Sequence, residues 1–146
     1  MNKSMDSQVF VSIKTLRLDN KYSEEYIAAM LGVSQEMVSL IEKGKNRLSL
    51  EQGVRLADLY SVSLDCLCER EEKYQSTGEY HTLKELRERH GYTSGELGKI
   101  LSISKSGYSR IENGNRRLTI EYAIILADLY SLSLDDLVGR KFVSQR

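Results

Sequence analysis

Residues 104–118 read SKSGYSRIENGNRRL, and seventy positions earlier residues 34–48 read SQEMVSLIEKGKNRL. Each stretch opens on a serine able to cap a helix, runs through a short amphipathic segment, and breaks at a glycine, Gly44 or Gly114, into a basic loop. The gapless shift of 70 residues also superimposes the flanks. Between residues 11–70 and 81–140 roughly two in five positions are identical, which marks an internal duplication. Matched pairs include Leu16/Leu86, Arg17/Arg87, Tyr22/Tyr92, Leu31/Leu101, Ile41/Ile111, Glu42/Glu112, Arg47/Arg117 and Leu48/Leu118; the strongest block is LADLYSVSLDCL against LADLYSLSLDDL.

Outward from those two stretches, each copy reads as five short helices. In the first, a helix over about residues 8–19 precedes Ser23, a candidate cap with Glu24 and Glu25 in the first turn. The second helix turns Ile27, Ala28 and Leu31 inward and stops at Gly32. Ser34 caps the third, in which Val38 and Ile41 continue an apolar stripe; Ser49 caps the fourth and Ser63 the fifth. The second copy repeats the plan with caps at Thr93, Ser104, Thr119 and Ser133. The pattern predicts an all-α protein of two tandem five-helix domains, residues 8–70 and 81–140, joined by a charged and polar linker over 71–80.

Composition narrows the function. The chain has 146 residues, of which 40% are hydrophobic, enough for two small cores. It holds no run of about 18 apolar residues and no basic-then-apolar amino terminus, so a cytoplasmic location is expected. The formal net charge of zero hides an asymmetry: residues 1–75 carry 10 Lys/Arg against 12 Asp/Glu, residues 76–146 carry 11 against 9. Cys66 and Cys68, two apart on a short helix, point to different faces and suit reduced thiols better than a metal site. His81 and His90 lack companion ligands. No paired carboxylates, Cys/His nucleophile, phosphate-binding glycine loop or metal cluster is visible, so neither an enzyme nor a cofactor is expected.

A short helix, a glycine-containing turn and a second short helix with a polar outer face make a helix-turn-helix, here over residues 24–43 and again over 94–113. Its residues, from LR at Leu16 and Leu86 through IExG to LADLY and SLD, resemble the Cro/lambda-repressor-like (XRE-type) family of bacterial and phage DNA-binding domains. The resemblance covers most of the chain. It implies lambda-repressor-like five-helix domains, operator binding by the third helix of each, and commonly a two-fold pair of domains on DNA. It also implies that Arg17 with Glu42, and Arg87 with Glu112, form structural ion pairs between the first and third helices. The second helix of this family usually opens on a Gln that touches a phosphate, a position held here by Glu24 and Ser94. Gly98 stands where a small Ala is expected and should weaken its helix by about 1 kcal/mol. Ser102 replaces the turn glycine and is expected to strain the turn.

If Val38 and Ile41 face inward, then Gln35, Glu36, Ser39, Leu40 and Lys43 face outward, and so do Lys105, Ser106, Ser109, Arg110 and Asn113 in the second copy. The resemblance makes these the groove-facing positions. Arg110 suits a guanine, and Lys105 a guanine or a phosphate. Asn115, Arg116 and Arg117, with Lys45, Asn46 and Arg47, are expected on the DNA backbone. In the first copy Glu36 repels phosphates unless it accepts from a cytosine amino group. Met37 and Leu40, expected to be exposed together, suit a protein contact instead. Two functions follow: a sequence-specific transcriptional regulator, of repressor type, that binds double-stranded DNA through both domains, or an interaction module whose first domain serves homodimerisation or capture of a partner such as a toxin. The two recognition helices differ, so the DNA site is expected to be asymmetric. Half-sites one turn apart lie about 34 Å from each other, and ten extended residues span at most about 35 Å.

Overall fold

The computed structural model describes residues 13–68, 70, 74 and 76–141, and the chain divides into two compact units, Met1–Lys73 and Tyr74–Arg146. The first holds α1, helical over residues 13–19, then α2 (Glu24–Leu31), α3 (Gln35–Glu42), α4 (Leu50–Tyr60) and α5 (Leu64–Leu67). The second holds α6 (Leu83–Arg89), α7 (Ser94–Ile100), α8 (Lys105–Glu112), α9 (Ile120–Leu129) and α10 (Leu134–Val138). Among the described residues there is no strand, and no helix is long and apolar enough to cross a membrane. The start expected for α1 near residue 8 lies outside the described residues.

Serine and threonine side chains set the helix starts. Ser23, Ser34, Ser49 and Ser63 each accept a hydrogen bond from a backbone N–H in the first turn, as do Thr93, Ser104, Thr119 and Ser133. Thr82 does the same for α6, with Glu85 returning the bond to its backbone N–H. In the first unit Ile27, Leu31, Val38, Ile41, Leu48, Leu56, Leu64 and Leu67 are buried together with Ala28 and Ala57. In the second, Leu97, Leu101, Ile111, Ile120, Leu126, Leu134 and Leu137 do the same work, and Tyr108, fully buried, takes the place of Val38.

The helix-turn-helix turn differs between the copies. Gly32 closes α2 in the left-handed region at φ 70°, and Ser102 adopts the same conformation at φ 61°. A left-handed residue with a Cβ is strained by roughly 1–2 kcal/mol, in line with the expectation from sequence. Gly98 departs from its expectation. A Cβ there would lie 2.9 Å from the Ile103 carbonyl oxygen and 3.0 Å from that of Ser104, so α7 approaches the α8 entry more closely than alanine permits. Ala28, in the matching place, is 5% exposed. Gly98→Ala therefore meets backbone that has little room to move. The helix-propensity gain of about 1 kcal/mol is set against an overpacking penalty of about 1–3 kcal/mol, and the variant is expected to melt below wild type. A higher melting temperature would show that propensity wins.

A second pair of ion pairs recurs, which the sequence did not reveal. Asp65, 1% exposed, pairs with Arg70, and Asp135, fully buried, pairs with Arg140 at 2.7 Å. The arginine backbone N–H also donates to the aspartate carbonyl in both copies, at 2.8 and 2.9 Å, closing the end of the fifth helix. Of the stretch expected to be linker, residues 76–78 are bonded to the second unit. Ser76 Oγ lies 3.0 Å from Ser133 Oγ, and Asp136 accepts from the Thr77 N–H, the Thr77 hydroxyl and the Gly78 N–H at 2.9, 3.0 and 3.0 Å. In the first copy that aspartate is Cys66, which has no carboxylate to hold such a strap.

Candidate nucleic-acid interface

The third helix of each unit is held at both ends. At its start, Ser34 Oγ accepts from Met37 N–H at 3.1 Å and Ser104 Oγ from Gly107 N–H at 2.9 Å. At its finish, Glu42 and Glu112 are clamped to the first helix. Arg17 donates from Nε to Glu42 Oε2 at 2.6 Å and from Nη2 to Oε1 at 3.0 Å; a third donor, Nη1, reaches the Tyr22 carbonyl at 3.1 Å. Arg87 repeats the fork on Glu112 at 2.7 and 3.2 Å. Both members of the first pair are 8% exposed, whereas Arg87 and Glu112 are half-buried. Hydrogen bonding to the glutamate holds each guanidinium above its ordinary pKa range. Burial, and then the charge of Glu42, pushes the Tyr60 phenol up to about 12; burial with Glu112 does the same to Tyr130.

This clamp decides which face of the helix meets solvent. In α8, Tyr108 and Ile111 are buried, while Lys105, Ser106, Arg110 and Asn113 are exposed and Ser109 is half-buried. Asn115, Arg116 and Arg117 continue that exposed surface through the following loop. From Lys105 to Arg117 the one carboxylate is Glu112, already engaged by Arg87. In α3, Gln35, Glu36 and Lys43 are exposed and Ser39 and Leu40 half-buried; Lys45 and Arg47 are exposed beyond it. Glu24 and Ser94, each opening the second helix of its unit, are half-buried.

One expectation needs correcting. Met37 and Leu40 are not an exposed apolar pair: both are half-buried, and Met37 Sδ accepts from Asn46 Nδ2 at 3.2 Å. Asn46 is thereby tied to α3 through one of its amide N–H groups. One lysine escaped notice: Lys14 joins Arg17, Glu24, Ser39, Glu42 and Lys43 around a cleft of about 320 Å³. Its signal was its identity with Lys84 under the 70-residue shift.

The helix-turn-helix family model matches twice, at residues 13–65 and 83–137. The chain belongs to this helix-turn-helix family. Over 59 residues, 40% of this chain and 51% of the relative, it is 37% identical to the HTH-type transcriptional regulator AnsR of Bacillus subtilis. Over 52 residues it is 40% identical to a putative HTH-type transcriptional regulatory protein of Pyrococcus abyssi, covering 36% of this chain and 16% of that one. Antitoxin PezA of Streptococcus pneumoniae is 35% identical over 57 residues, 39% of this chain and 36% of its own length. The chain thus spans about half or less of the length of these curated relatives. No solved structure matches it significantly.

Proposed function

We propose that this helix-turn-helix protein is a cytoplasmic, sequence-specific transcriptional regulator, of repressor type, that binds double-stranded DNA by occupying the groove with α8 and α3 and does no chemistry. The observation that carries the proposal is the outer surface of α8 and its loop, where Lys105, Arg110, Arg116 and Arg117 are exposed and the single intervening carboxylate is consumed by Arg87. Cations on one exposed edge of a capped helix suit phosphates and base edges. The names of the AnsR and Pyrococcus relatives support the same role. α3, with Glu36 on its outer face, is the weaker reader, and the asymmetry of the two helices calls for an asymmetric site. Two chains paired about a two-fold axis would supply further half-sites. Selection of bound sequences from a random DNA pool by the full chain tests the proposal; failure to enrich any sequence at low salt would overturn it.

A second reading rests on three exposed side chains. Leu18 and Tyr26 of the first unit are 54% and 44% exposed where the second copy has Glu88 and Glu96, and Met30, 39% exposed, matches an equally exposed Ile100. Such side chains suit a protein contact through the first domain, either self-association or capture of a partner, and the likeness to an antitoxin fits that use. Glu36→Gln separates the two. If α3 lies on DNA, removing the charge should raise affinity for random-sequence DNA roughly two- to five-fold at low salt, because a like charge near phosphate is withdrawn. Unchanged affinity, read by fluorescence anisotropy, would assign the first domain to protein contact.

A further inference from the structure

Arg116 does not sit where a simple backbone clamp would. A Cβ placed on Gly107 would lie 2.7 Å from Arg116 Nη1 and 3.1 Å from Ser104 Oγ, so the guanidinium occupies the notch left by the missing side chain, on the first turn of α8. Tyr122, in the first turn of α9, holds it from another side. Its hydroxyl lies 3.4 Å from Arg116 Nη2, and Arg116 Cζ is 5.9 Å from the ring centroid. The Arg116 backbone N–H is fixed as well, donating to the Arg110 carbonyl at 3.1 Å. The same two positions meet in the first unit, where Asn46 donates to Met37, so the tether is a property of the duplicated fold and only its filling has diverged.

We infer that Arg116 is a specificity-determining residue that reads a base from the first turn of α8, positioned there by Gly107 and Tyr122. The inference deepens the DNA-binding proposal and rests on it. A phosphate contact needs only a charge within reach, which a loose loop arginine supplies. Here a long side chain is instead held by a ring, a hydroxyl and a helix notch, which removes much of the rotamer freedom it would lose on binding. The Gly107 notch is also bounded by Ser104 Oγ, which lies 3.2 Å from Ser106 Oγ. Those belong to the amino-terminal part of the recognition helix, the part whose residues contact base edges when such a helix docks in the major groove. The guanidinium fork matches the paired acceptors O6 and N7 of guanine, and a stacked, forked arginine is not replaceable by lysine.

The test is enrichment from a random DNA pool by the full chain and by Arg116→Ala, Arg116→Lys, Tyr122→Ala and Gly107→Ala, each checked for folding by circular dichroism. Wild type is expected to prefer guanine at one position that becomes indifferent in Arg116→Ala and in Arg116→Lys, a loss of roughly ten-fold discrimination there with other positions kept. Tyr122→Ala and Gly107→Ala, which leave the charge but release or displace the guanidinium, should relax the same position. Uniform weakening of all sequences by Arg116→Ala, with the preferences intact and the salt slope reduced by about one, makes Arg116 a phosphate contact and overturns the inference alone. Unchanged preference in Tyr122→Ala overturns the positioning role. Absence of enrichment by wild type overturns the DNA-binding proposal itself, and the inference with it.

Discussion

Glu42→Ala is expected to destabilise the first unit by about 3–5 kcal/mol, since it leaves the buried Arg17 guanidinium without its carboxylate partner. Arg17 is 8% exposed, and two of its donors face Glu42 at 2.6 and 3.0 Å. Of its hydrogen bonds only that to the Tyr22 carbonyl would remain, with the Glu24 charge acting from the same cleft; the nearby Tyr60 hydroxyl, buried without a hydrogen-bond partner among the described residues, adds no negative charge at neutral pH. Glu112→Ala should cost less, because Arg87 is half-buried and water can reach it. Replacing both partners, as Arg17→Met with Glu42→Leu, should recover much of the loss, since the penalty arises from the orphaned charge more than from the pair. Calorimetry of the full chain reads all three. Equal losses for Glu42→Ala and Glu112→Ala would mean that burial does not set the scale. The functional consequence is local: the clamp joins α3 to α1, so its loss frees the recognition helix of the first unit before it disturbs the second.

Arg110→Ala is expected to weaken binding to the selected sequence by roughly ten- to a hundred-fold, the equivalent of about 1–3 kcal/mol for a forked contact to guanine. The substitution is clean. Arg110 is exposed, and the fold uses its backbone carbonyl, which accepts from the Asn115 and Arg116 N–H groups at 2.8 and 3.1 Å, not its side chain. Affinity for random DNA should fall far less, because only one of several cations on that face is removed. Binding of the selected sequence as tightly as by wild type would defeat the assignment of α8 as the reader. A uniform loss across sequences would move Arg110 from base to phosphate.

The duplication made much of the fold legible. Because the same cap, stripe and glycine recur after 70 residues, Ser34 and Ser104 could be placed as caps and Gly44 and Gly114 as stops without knowing what packs against them. The inward positions of α3 followed from helical period. Asp65 with Arg70, and Asp135 with Arg140, were equally visible as matched identities, yet nothing local marks an aspartate in a first turn as buried; capping roles and exposure are its usual lot there. Met37 looked like an exposed apolar residue because nothing in α3 predicts that Asn46, nine positions on, folds back onto its sulfur. Gly98 looked like a defect of helix propensity until the Ile103 and Ser104 carbonyls showed that a side chain has no room.

By itself, then, the sequence determined the order of the helices, the caps that start them and the exposed positions Lys105, Ser106 and Arg110 of α8, since capping, period and glycine stops act within a few residues of chain. Tertiary structure decided what those helices can offer. Whether Arg116 lies loose in its loop or on the first turn of α8 depends on the space left by Gly107 and on a tyrosine from the next helix, Tyr122. Whether residues 76–78 connect the units or belong to one of them depends on the Asp136 carboxylate, almost sixty residues away. Those outcomes are set by packing between segments distant in sequence, where neither local propensity nor periodicity carries information.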